Sequence, residues 1–211
     1  MANSGANKGV KPARAASPPT PKAELPVVSP ASAAEWEMWL AENHAKSDGV
    51  WLRMFKKASG VKSVTYAEAL DSALCHGWID GQLKTYDAKS FIQKFTPRRA
   101  RSVWSKINTE HIRRLTKAGR MKRAGLEAVA AAKSDGRWAA AYDSARTAAV
   151  PADFLKELSR DPKAKAFFET LNRTNIYSIV WRLQTARKPE TRAKRLKIIC
   201  EMMAKGEKFH P

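Results

Sequence analysis

Apolar residues recur along this chain at two spacings, and the spacing changes near its middle. Trp36, Trp39 and Leu40 stand at i, i+3 and i+4 behind Ser32, which predicts an amphipathic helix from a serine cap to about Asn43. Asp48-Gly49 turns the chain, and the short run Val50–Lys56 reads as a strand. Thr65 with Glu68 three residues on forms a capping-box pattern for a helix carrying Leu70, Ala73, Leu74 and Gly77. Ile79–Tyr86 and Ser90–Thr96 read as a hairpin about Asp87-Ala88-Lys89, and Pro97 ends its second strand.

Beyond Pro97 the pattern is helical, apart from one connection. Asn108 is the expected cap of a helix stopped by Gly119, and residues 122–133 make another. Residues 136–150 carry little pattern and read as a connection. Pro151 suits a first helical position, and Asp161-Pro162 is a helix start with Phe167, Phe168 and Leu171 on its apolar face. Ile176, Ile179, Val180 and Leu183 mark the next helix. Pro189 opens the last, where Leu196, Ile199, Cys200 and Met203 repeat the spacing. The expected fold class is α+β: a small antiparallel sheet of about three strands with packed helices, followed by an all-helical carboxyl-terminal module.

Composition adds a tail and a field. Six of the 11 prolines fall in residues 1–30, among Ala, Ser, Lys and Gly, so residues 1–31 are expected to be a disordered basic tail without the apolar stretch of a secretory signal. The formal net charge is +19 over 211 residues, and residues 84–123 alone hold 13 basic and 2 acidic side chains. Such a field favours a polyanion, either nucleic acid or an anionic ligand; a protein partner is the other open choice, and the oligomeric state is left open. No apolar run reaches the length of a membrane span. Two cysteines, Cys75 and Cys200, both in apolar settings, read as buried thiols and suit a reducing, cytoplasmic location.

Two constellations are candidate sites. The first is an anion or nucleic-acid surface in which Arg98, Arg99, Arg101 and Lys106 surround Trp104, extended by Arg113 and by Arg187, Arg192 and Arg195 near the last helix. The bland alternative is a solvated basic face. The second is a ligand pocket: Trp51, Phe55, Trp78 and Phe95 beside Asp80, Gln82 and Lys84, whose alternation puts the three polar groups on one side of a strand. Its alternative is an ordinary aromatic core with a solvated polar face. The adjacent Cys75-His76 make a poor dyad, because neighbouring helical residues diverge. The four histidines have no metal-ligand spacing, and no phosphate-loop, dinucleotide or nucleophile-elbow motif occurs, so no catalytic residue, metal or cofactor is assigned.

Several stretches in order resemble one family. They are Ser47–Leu52, Val64–Leu70, Ala73-Leu74-Cys75-His76-Gly77-Trp78-Ile79-Asp80-Gly81-Gln82, Phe95–Arg98, Ser102–Asn108 and Gly119–Met121, then Ala186–Arg192 with its flanking helices. Over residues 32–207 the chain is similar to the YdeI/OmpD-associated family of bacteriocin-protection proteins. His76 departs from the aromatic, such as Phe, expected there, and Gly81 from a small polar residue. The resemblance implies a YdeI-like domain over 32–135, a connection over 136–150 and a family-type helical module over 151–207. It also implies a non-catalytic binding protein concerned with bacteriocin or antimicrobial-peptide protection and stress tolerance. The alternatives are a nucleic-acid-binding accessory protein and an enzyme or binder for an anionic small molecule. A protein of charge +19 repels cationic peptides, so protection by direct sequestration is electrostatically disfavoured.

Overall fold

A computed structural model describes residues 24–211. The tail expected over residues 1–31 therefore lies mostly outside the described residues, but its end does not. Val27–Val28 form β1, an edge strand parallel to β2 (Val50–Phe55), with Trp51 N–H donating to Pro26 O at 2.9 Å. Chain order thus begins before Ser32. The strand is too short for periodicity to reveal, and a partner more than twenty residues away defines it.

Between them runs α1 (Ala33–Asn43), capped as expected: Ser32 Oγ accepts from Glu35 N–H at 3.3 Å. Next, α2 (Tyr66–Cys75) starts at a reciprocal capping box, Thr65 Oγ1 accepting from Glu68 N–H and the Glu68 carboxylate accepting from Thr65 N–H. The hairpin is β3 (Trp78–Thr85) and β4 (Ser90–Pro97), and β4 inserts between β2 and β3 to give the order β1-β2-β4-β3. The sheet therefore has four strands, three of them antiparallel neighbours. One face carries Val50, Leu52, Met54 and Phe95 into a core with Trp36, Leu40, Leu74 and Trp78.

A bulge interrupts the β3–β4 register between Asp80 and Leu83. Buried Gln93 spans it, donating from Nε2 to Gly81 O at 2.8 Å and Gln82 O at 3.3 Å. The extra residue shifts the side-chain alternation, so Asp80, opposite Phe95, lies on the core side, while Lys84, opposite Ile92, lies on the other. The single-face reading of Asp80, Gln82 and Lys84 fails for that reason.

Helix α3 spans Lys106–Lys117 and α4 Arg123–Ser134. The cap of α3 is Ser105, not Asn108: Ser105 Oγ accepts from Asn108 N–H at 3.1 Å. Backbone bonds to a distant segment hold Ser105 extended, with Tyr142 N–H donating to Trp104 O and Lys106 N–H to Tyr142 O. Helix α4 touches the end of α2 backbone to backbone. A methyl at Gly125 would stand 2.2 Å from Cys75 O, so only glycine permits the contact.

Four helices follow: α5 (Ala152–Leu158), α6 (Pro162–Glu169), α7 (Arg173–Gln184) and α8 (Pro189–Lys205). Asp161 caps α6 ahead of Pro162, as the sequence predicts. They enclose a second core of Phe154, Leu158, Ile179, Leu183, Ile199 and Met203. Among the described residues no helix is long and apolar enough to cross a membrane.

Candidate functional site

The two cores are joined through the connection, and its pivot is Asp143. Its N–H donates to Gln184 Oε1 at 3.1 Å, its carboxylate accepts from Gln184 Nε2 at 2.8 Å, and Lys106 Nζ pairs with it at 2.7 Å. Tyr177 Oη donates to its carbonyl at 3.1 Å. One residue therefore ties the first turn of α3 to α7. Tyr142, beside it, is fixed by the backbone bonds on either side of Ser105 and meets the edge of Trp181 at 6.2 Å.

An open cleft of about 510 Å³ lies at this junction, within the size range of small-molecule sites. Tyr66 and Asp80 come from α2 and β3, Asn108 and His111 from α3, Tyr142 from the connection and Tyr177 from α7. Tyr66 Oη donates to Asp80 Oδ2 at 2.8 Å, though the tyrosine remains 42% exposed at the mouth. Burial, and then the Asp80 charge, push the Tyr66 phenol above its ordinary range. Burial also raises the Tyr142 and Tyr177 phenols. All three stay protonated at neutral pH and serve as hydrogen-bonding groups rather than bases.

Charge is arranged around the cleft. His111 Nδ1 lies 2.9 Å from Asp71 Oδ1, and Arg114 donates to both Asp71 oxygens at 2.6 and 2.8 Å. Burial works to raise the Asp71 carboxyl, but the hydrogen bonds from Arg114 and His111 outweigh it and hold the carboxyl below its usual range. On the other side, the Arg98 guanidinium stacks 3.5 Å over Trp104 and donates to Val103 O at 3.3 Å, while its Nε is buried without a partner. Burial draws it down to about 10 against the opposing pull of Tyr142 and Asp80, so it is charged at neutral pH.

The basic residues singled out by sequence separate into different roles. Arg98 and Trp104 form the buried stack, and Lys106 is committed to Asp143. Arg192 donates to Leu183 O at 2.7 Å and pairs with Asp153; Arg195 donates to Arg182 O at 2.6 Å. These two add side-chain donors to two carbonyls in the last turn of α7. Arg187 donates to Asp135 O, with Arg101 lining the same small hollow. Arg99 and Arg113 are exposed, on different parts of the surface. No single basic surface gathers all nine residues.

The aromatic constellation is also divided. Trp78 and Phe95 are in the core, whereas Trp51 and Phe55 lie on the opposite face of the sheet with Lys84. Only Asp80 of that set enters the cleft; Gln82 is exposed beside the bulge. Tyr66, Asn108, His111, Tyr142 and Tyr177 were not readable as site residues, because no spacing links positions so far apart. Tyr142 lies in the one stretch without pattern.

Residues 147–206 match the family described as bacteriocin-protection, YdeI or OmpD-associated. Residues 28–128, from β1 into α4, match a domain of unknown function (DUF8412). The resemblance read over residues 32–207 is thus matched to that family in its carboxyl-terminal part. No curated protein and no solved structure matches the chain.

Proposed function

With its carboxyl-terminal module a member of the bacteriocin-protection, YdeI or OmpD-associated family, we propose that the protein is a non-catalytic binding protein that holds a small polar ligand between its two modules. One observation carries this reading: the cleft takes polar groups from both modules and from the connection that ties them together. A ligand there contacts α2, α3 and α7 at once, so occupancy tightens the junction. Asp80 supplies a carboxylate for a donor on the ligand, the protonated phenols supply donors and acceptors, and Tyr66 and Ile107 supply apolar area at the mouth.

The +19 charge favours binding of a small polar ligand over capture of a cationic peptide. Protection then follows from what the protein binds inside the cell. The test is complementation. Cells lacking the protein are challenged with bacteriocins and cationic peptides after re-expression of wild type, Asp80→Asn or Tyr66→Phe. Wild type restores the inhibitory concentration, and the two cleft variants, at equal abundance, do not. Equal rescue by all three would detach the cleft from protection.

A further inference from the structure

The face of the sheet turned away from the core sets aromatic rings and cations side by side. Trp51, Arg53 and Phe55 alternate along β2 with the buried Val50, Leu52 and Met54, so they share that face. Twice the rise per residue sets them about 7 Å apart. None of the three belongs to either core. Lys84 and Lys94 bring their ammonium groups to 4.8 and 5.9 Å from the Trp51 ring centroid. The Arg53 guanidinium lies 4.6 Å from the rings of both Phe55 and Tyr86. Asp87 and Ser90 hold that guanidinium in place.

We infer that this face binds single-stranded nucleic acid, at a site separate from the cleft. Each ring is paired with a cation, and neither Lys84 nor Lys94 has an acidic partner among the described residues. Arg99 adds a further cation in the hollow of about 400 Å³ beside Trp51, where Asp48 is the one carboxylate lining it. Two ammonium groups beside one indole repel each other, and a phosphate relieves that repulsion. A base then stacks on the uncovered ring while the lysine that left it follows the backbone, the combination of aromatic platform and positive groove that suits an unpaired strand. A duplex keeps its bases stacked internally and cannot use the rings. An apolar protein partner fits less well, because it would bury these cations without countercharge.

The experiment is fluorescence anisotropy of a labelled single-stranded oligothymidylate titrated with the full chain, from about 50 to about 200 mM salt. Wild type binds, and its affinity falls with salt. Lys84→Ala/Lys94→Ala flattens the log–log slope by about 1.4, the share of two phosphate contacts. Trp51→Ala weakens binding about tenfold or more at fixed salt, and Trp51→Phe retains part of it should the alanine variant fail to fold. Arg113→Ala, on α3, binds as wild type does. Absence of binding at the lowest salt, sheet-face variants with unchanged affinity and slope, or equal competition by duplex would each overturn the inference. Circular dichroism establishes that each variant is folded.

Discussion

The cleft and the carboxyl-terminal arginine cluster hold the same kinds of polar group in opposite conditions. Arg192 has its donors taken up by Leu183 O and Asp153, and Arg195 gives Nη1 to Arg182 O and Thr185 Oγ1, so both serve to close the end of α7. In the cleft, Asp80 has a single hydrogen bond from Tyr66, and the phenols face a volume large enough for a small molecule. A dense run of positive charge in a sequence is thus a poor guide to a site. What matters is whether the fold has already supplied each group with a partner.

The largest effect that separates the two regions is expected at Asp143, which belongs to both stability and site. Asp143→Ala removes the carboxylate bonds to Gln184 and Lys106 and should cost about 2–3 kcal/mol, lowering Tm by roughly 4–10 °C and loosening Tyr142. Arg192→Ala comes next. It leaves the Leu183 carbonyl with only its backbone N–H donors and opens a partly exposed ion pair, for about 1–2 kcal/mol, and should leave cleft binding unchanged. If Arg192→Ala abolished binding instead, the division between structural and receptive arginines would collapse. Thermal melts of both variants, each with and without ligand, check this.

A smaller and pH-dependent effect belongs to His76. The ring is buried, both nitrogens lack partners, and burial followed by the neighbouring His44 lowers its pKa. Below about pH 6.5 the unfolded chain takes up a proton that the folded ring resists, so stability is full above that pH and falls as pH falls. His76→Phe should flatten the fall in Tm between about pH 7.5 and 5 and stabilise the fold at the acid end. A pH series of melts on the two proteins that superimposed would remove His76 as the cause. Smallest of all in stability is Asp80→Asn, expected to change folding by less than about 1 kcal/mol at a partly exposed position while removing ligand binding.

These contrasts also show which parts of the fold were readable in advance. Ser32, Thr65 with Glu68, and Asp161-Pro162 announce their helices because a cap acts within four residues. The hairpin strands were readable because alternation is local. Asn108 has the chemistry of a cap, but Ser105, equally able, is selected by its backbone pairing with Tyr142, a contact no window spans. The bulge held by Gln93 was hidden for the same reason, and with it the true faces of Asp80 and Lys84. The cleft was the least legible feature, since its residues run from Tyr66 to Tyr177 and meet only after Asp143 has joined the modules.

The decisive measurement is a thermal-shift screen of the full-length protein and Asp80→Asn against a library of small polar metabolites. A ligand at about a hundred times its Kd should stabilise wild type by about 2.7 kcal/mol, which for a chain of this size is a rise in Tm of roughly 5–10 °C. The expected result is at least one compound that does so for wild type and leaves Asp80→Asn unmoved. A library that shifts neither protein, or a ligand that shifts both equally, would contradict a binding site in the cleft.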